Sequence, residues 1–202
     1  MSDAGTAMPA GQDLGRPDLQ RMGSFYTNVT VTGVDGDRLV EWLRSRQQPV
    51  FVEISERGCV VFDAAGEAQD GSHAELAQLL SDVFGCVAVA ALNHDEDVLR
   101  IDAFSAGVAA DAYDSSPGYF DFDAEEILPP VGGHELAGMF GADRSLVEAA
   151  LRGEYVFAVE RHAALLDALR LPVAACGYGY EYLSRGGRPR PSDPTAQLTE
   201  VS

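Results

Sequence analysis

Lysine is absent from this 202-residue chain, and all 14 of its basic residues are arginine. Asparagine occurs only at Asn28 and Asn93, while alanine, glycine and arginine abound, the mark of a GC-rich coding bias. Cysteine is scarce: the three cysteines, Cys59, Cys86 and Cys176, are odd in number and show no CxxC spacing. That excludes a disulfide scaffold and a zinc ribbon. Each lies in an apolar stretch, as a buried free thiol does, and the expected location is the reduced cytoplasm. No run approaches the roughly 20 apolar residues of a membrane span. No basic start leads into an apolar run, so no secretion signal is expected. The phosphate loop, GxSxG, HExxH and dinucleotide fingerprints are also missing. No nucleophile–base pair can be assembled from spacing, no cofactor is implied, and whether the chain is an enzyme stays open.

Acid is in excess. Thirty-two Asp and Glu against 14 Arg give a net charge of −18. The two ends nearly cancel, so the whole excess belongs to residues 22–184. Such a field repels nucleic acid and anionic lipid and attracts basic partners; solubility alone accounts for it equally well. Nothing in the sequence bears on oligomeric state. Hydrophobic residues make up 46%, enough for one domain with a real core.

A βαββαβ rhythm runs from about Tyr26 to Asn93: strand patterns at Phe25–Val34, Val50–Ser55, Cys59–Ala64 and Cys86–Leu92, and helix patterns at Asp37–Arg46 and Ser72–Phe84. This order predicts an α+β fold with a ferredoxin-like first half, strand order 4-1-3-2, with Phe25–Val34 central. Alternation along Phe25–Val34 predicts one buried and one wet face. Ser72 and Glu75 have the spacing of a capping box, and Gly85 suits a left-handed cap. Strands at Val98–Phe104 and Val108–Tyr113 add an antiparallel hairpin. A 17-residue loop, Asp114–Pro130, follows, longer than ordinary connections. Helices are predicted at His134–Phe140, Ser145–Arg152 and Val156–Leu171, then a closing strand at Val173–Leu183. Residues 1–21 and 186–202 read as disordered tails around a single domain, 22–185, and Met22 is a candidate true start.

Four constellations bear on function. The NHDED turn offers His94, Asp95 and Asp97 as weak metal or polar ligands, although its spacing is not that of an EF-hand and a solvated hairpin turn is the plainer reading. The long loop sets Asp114, Asp121, Asp123, Glu125 and Glu126 among Tyr119, Phe120 and Phe122. Acids interleaved with aromatics suit a basic protein partner, the acids steering and the aromatics supplying contact area; a loop pinned to the core by its own aromatics is the plainer reading. His162 falls on the apolar side of its helix, as a buried histidine bonded to a tyrosine or carbonyl would, while acid–base work would need a partner within hydrogen-bond reach. Tyr178, Tyr180 and Tyr182 alternate with Gly177, Gly179 and Glu181, the pattern of a tyrosine face on a strand. Of the other histidines, His73 falls in a helix cap and His134 is expected to be exposed.

The segments FYTNVTV, LNHDEDVL, SPGYFD, EYVFAVERH and GYGYEYL, spread over residues 22–184, resemble a group of uncharacterised bacterial proteins, and that resemblance implies no activity. Two readings stand. One is an acidic interaction module, such as an inhibitor or immunity-type protein, binding a basic partner through Tyr119, Phe120, Asp121, Asp123, Glu125 and Glu126. The other is a small-molecule or metal-dependent enzyme using His94, Asp95 and Asp97, or His162. Convergence in a concave pocket favours the second.

Overall fold

A computed structural model describes residues 25–120 and 128–202. The expected N-terminal tail and Met22 lie outside the described residues, as do Asp121, Asp123, Glu125 and Glu126 of the long loop. The described residues form a mixed α+β structure with six helices and one eight-stranded antiparallel sheet. The strands are β1 (Tyr26–Thr32), β2 (Val50–Ser55), β3 (Gly58–Asp63), β4 (Val87–His94), β5 (Val98–Ser105), β6 (Val108–Asp114), β7 (Val131–Gly132) and β8 (Gln197–Val201). Across the sheet they run β7-β6-β5-β4-β1-β3-β2-β8. β1 is central, antiparallel to both β3 and β4.

Helices cover both faces. On one lie α1 (Gly36–Ser45) and α2 (Ser72–Phe84), packed on Val29, Val31, Val52, Val61, Ala88 and Ala90. On the other lie α3 (Leu136–Phe140), α4 (Arg144–Arg152), α5 (Ala158–Leu169) and α6 (Tyr180–Ser184), over Val60, Phe62, Val89, Ala91, Leu99 and Ile101. β1 therefore has no wet face: Tyr26, Asn28 and Thr30 are as buried as Val29 and Val31. The alternation marks two different interiors, one largely apolar apart from Thr27 and one with more polar side chains. In the second the overlying layer supplies partners to some of the polar side chains, whereas the Asn28 Oδ1 and the Asn93 amide have none among the described residues. The Asn28 amide donates to the Ala175 carbonyl at 2.7 Å, and the Tyr26 hydroxyl meets His162 Nδ1 at 2.8 Å.

Local chemistry sets the ends. The Asp35 carboxylate caps α1 by accepting from the Arg38 amide at 2.9 Å. The expected capping box at α2 does not form. Gly71 is the cap at φ +100°, and the Ser72 hydroxyl donates instead to the Ala65 carbonyl at 3.0 Å. Gly85 closes α2 at φ +60°, as its position predicts. On α2, Leu76 and Leu80 are buried but Val83 is exposed.

Two C-terminal expectations are corrected. Val173–Leu183 is not a strand but a 3-10 turn, Val173–Ala175, followed by α6. Gly177 at φ +82° breaks the extended path, and the Glu181 amide at the start of α6 is capped by the Glu67 carboxylate at 3.1 Å. The tyrosine alternation thus comes from a turn and a helical coil: Tyr178 packs on Tyr182, and Tyr180 on Phe51. Residues 186–202, read as a disordered tail, contain β8, which pairs with β2 from Val50↔Val201 to Ile54↔Gln197.

Candidate functional site

The β4–β5–β6 meander brings two separate sequence features together. β4 and β5 are joined by the acidic turn, whose Asp97 amide donates to the His94 carbonyl at 3.1 Å. Asp95 and Glu96 take positive φ, +52° and +61°. Two consecutive left-handed residues make a primed hairpin turn, which suits the twist of the strands; Asp tolerates that conformation better than Glu. β6 then returns alongside β5, so the long loop leaves next to the same turn. The Tyr119 hydroxyl donates to Asp97 Oδ2 at 3.3 Å. His94 stands edge-on to Phe120 at 4.8 Å and to Phe25 at 4.7 Å between ring centres, with Tyr119 at 5.8 Å.

A third segment joins from the opposite layer. The Ala158 amide, at the start of α5, donates to the Glu96 carbonyl at 2.6 Å. Just before it, Val156 is 79% and Phe157 46% exposed. The acidic turn thus connects directly to two aromatic-bearing segments, Tyr119–Phe120 and Val156–Phe157. The second of these lies far along the chain from the acidic turn, so only the fold brings the two together.

Beside the turn is a hollow of about 410 Å³ lined by Phe25, Glu67, Gln69, His94, Arg100 and Phe120. A second, of about 560 Å³, shares Phe25 and Glu67 and continues past Gly179 to Tyr182. Glu67 lies in a 3-10 turn, Ala65–Ala68. Its carboxyl is pushed above the usual carboxylate range by burial, against the pull of the Glu181 and Tyr180 amides. A side chain at position 179 would collide with that carboxylate, so glycine there is a condition of its placement. Arg100 is held by Asp114, Nε to Oδ2 2.8 Å, with its guanidinium over the Phe120 ring at 4.6 Å. Gln69 donates to the Asn93 carbonyl at 3.3 Å, which turns its oxygen toward His94 Nδ1 at 2.6 Å. That oxygen only accepts, so Nδ1 carries the proton and Nε2 is the basic nitrogen of His94.

The remaining site candidates are elsewhere. His162 is 1% exposed, bonded to Tyr26 and stacked on it, and its pKa falls to about 4 because burial penalises the imidazolium. The Cys176 thiol is pushed up to about 12 by burial. His73, expected at a cap, is buried, whereas His134 is exposed. Among the described residues no group of three His, Cys, Asp or Glu side chains is placed to hold a metal ion. No helix among them is long and apolar enough to cross a membrane. Comparison with protein-family models, curated proteins and solved structures finds no match.

Proposed function

We propose that this protein is an acidic interaction module that binds a basic protein partner through the face built on the Asp95–Asp97 turn. The observation that carries the reading is the turn's direct bonding to Tyr119 on one side and to the start of α5, beside Phe157, on the other. Acids at the centre steer a cationic partner, and the flanking exposed rings supply contact area. Asp121, Asp123, Glu125 and Glu126, which continue the chain from Phe120, belong to the same proposal. So does a cytoplasmic location, supported by three free cysteines. The proposed scaffold is a ferredoxin-like unit, β1–β4 with α1 and α2, extended by the hairpin and the second helical layer; the local order β4-β1-β3-β2 supports it.

Affinity capture on the wild-type chain tests this, against Tyr119→Ala and Phe157→Ala variants. Basic proteins released by moderate salt and weakly held by either variant are the expected outcome. Retained proteins that are neutral or acidic, or indifferent to both variants, overturn the reading.

An enzyme acting on a small molecule is the second reading, and one observation favours it: His94, its tautomer set by Gln69, lines a concave hollow. A general base would need its reacting proton in reach of Nε2. His162 offers less, being sealed in the core.

A further inference from the structure

The face proposed above is edged by the two hollows, and they differ from it in one respect: their charges mostly cancel. Arg100 is matched by Asp114, and Arg185 by Glu181. Glu67, on the wall shared by both hollows, has no ion-pair partner among the described residues. Its Oε1 accepts from the Glu181 amide, which orients the carboxylate without neutralising it. A half-buried carboxylate that is held in place but not neutralised favours a cation brought from outside.

The walls narrow the kind of cation. Phe25 is 47% exposed at the junction of the hollows, and Phe120 and His94 continue the aromatic lining. The chain's own Arg100 already lies over Phe120, so this wall accommodates a guanidinium face. A planar guanidinium can stack on an aromatic ring while its fork meets a carboxylate; an ammonium does the first less well and the second only as a point charge.

We infer that the Glu67 hollow is a receptor for an arginine side chain, its guanidinium paired with the Glu67 carboxylate and laid against Phe25. This rests on the interaction reading for the source of that arginine, a basic partner anchored beside the acidic turn. The chemistry itself does not require a protein: a free guanidinium compound would satisfy the same groups.

The test is an NMR titration of the full chain with N-acetyl-arginine amide, alongside the lysine amide and the neutral citrulline amide. Saturable shifts at the Phe25, Glu67 and His94 amides are expected from the arginine compound, weaker ones from the lysine compound and none from citrulline. Glu67→Gln should weaken binding roughly tenfold, from loss of a charge-assisted pair. Phe25→Ala should weaken it roughly threefold through lost stacking. If Glu67→Gln disturbs α6, the citrulline comparison and Phe25→Ala still decide. Equal responses to arginine and citrulline, or shifts confined to Asp95–Asp97, overturn the inference. If arginine amide binds here but no basic protein is captured by the chain, the interaction reading fails and a receptor for a free guanidinium compound remains. If a basic protein binds through the Tyr119 and Phe157 face while arginine amide leaves Glu67 untouched, the inference fails alone.

Discussion

His162 illustrates how burial separates a reactive-looking residue from reactivity. Its ring is stacked on Tyr26, and its Nδ1 meets the Tyr26 hydroxyl. The neutral imidazole is favoured in the folded state, with a pKa of about 4 against an ordinary 6.5. A depressed pKa means that the unfolded chain takes up the proton first. The associated stability is therefore fully present above pH 6.5 and is lost as pH falls toward 4, to a limit of about 3 kcal/mol. Buried His73, also depressed, acts in the same direction, while the burial-raised carboxyls of Glu53, Asp63 and Asp102 act oppositely. The clean measurement is therefore a difference. His162→Ala should lose about 2–3 kcal/mol at pH 7 in urea unfolding, from the cavity and the orphaned Tyr26 hydroxyl. The gap to wild type should narrow between pH 6.5 and 4. A gap that is constant with pH would mean that His162 binds its proton equally well in the folded and unfolded chain.

At the scale of elements, β8 shows what a short strand contributes when it covers a polar site. Only Val201 of its five residues is buried. The segment leading into it matters more: Ser192 donates to both oxygens of the buried Glu53 carboxylate on β2, from its amide at 2.9 Å and its hydroxyl at 2.7 Å. Truncation after Arg190 would strip Glu53 of both donors and leave β2 as the sheet edge. A loss of about 3 kcal/mol is expected from the orphaned carboxylate and the broken ladder, lowering Tm by roughly 6–12 °C. Concentration-dependent aggregation should follow from the bared edge. A truncated chain that melts like wild type and does not aggregate would show that the strap is dispensable.

The same element shows where the sequence is legible. β1 to β5 and the helices α1, α2, α4 and α5 stand close to where their periodicities predict, because each buries a regular apolar set; β6 does so with only Tyr113 buried, its place set by the tight turn from β5. β8 is not legible in the sequence because Gln197–Val201 has one core residue and its pairing with β2 is a tertiary event. The tyrosine segment misled because alternation at period two looks alike on a strand and across a turn into a helix. His94 and Tyr119–Phe120 both stand out in the sequence, but their meeting depends on the β4–β5–β6 meander. Glu67 left only the faint signal of a lone acid in the small-residue run AAGEAQ; its importance comes from Gly179, far along the chain, making room for its carboxylate.

For the whole molecule, the sign and location of charge set how a partner would arrive. The net −18 resides in residues 22–184, the span that also holds seven of the eight strands and all six helices of the described residues. A basic partner guided by that charge should associate fast at low salt, with an on-rate that falls steeply as screening shortens to about 8 Å at 0.15 M. Acids and rings should then divide the kinetics. Replacing Asp95, Asp97, Asp121, Asp123, Glu125 and Glu126 by their amides should lower the on-rate and flatten its salt dependence, with a smaller change in off-rate. Replacing Tyr119, Phe120 or Phe157 by alanine should leave the on-rate within about twofold and raise the off-rate roughly tenfold or more where the ring is an anchor. Stopped-flow association with a captured partner, across a salt series, separates the two. If the amide variants bind at the wild-type rate at every salt concentration, the charge serves solubility and the face is not steered. The concave hollow beside His94 then becomes the stronger claim on function, as the site of a small-molecule enzyme.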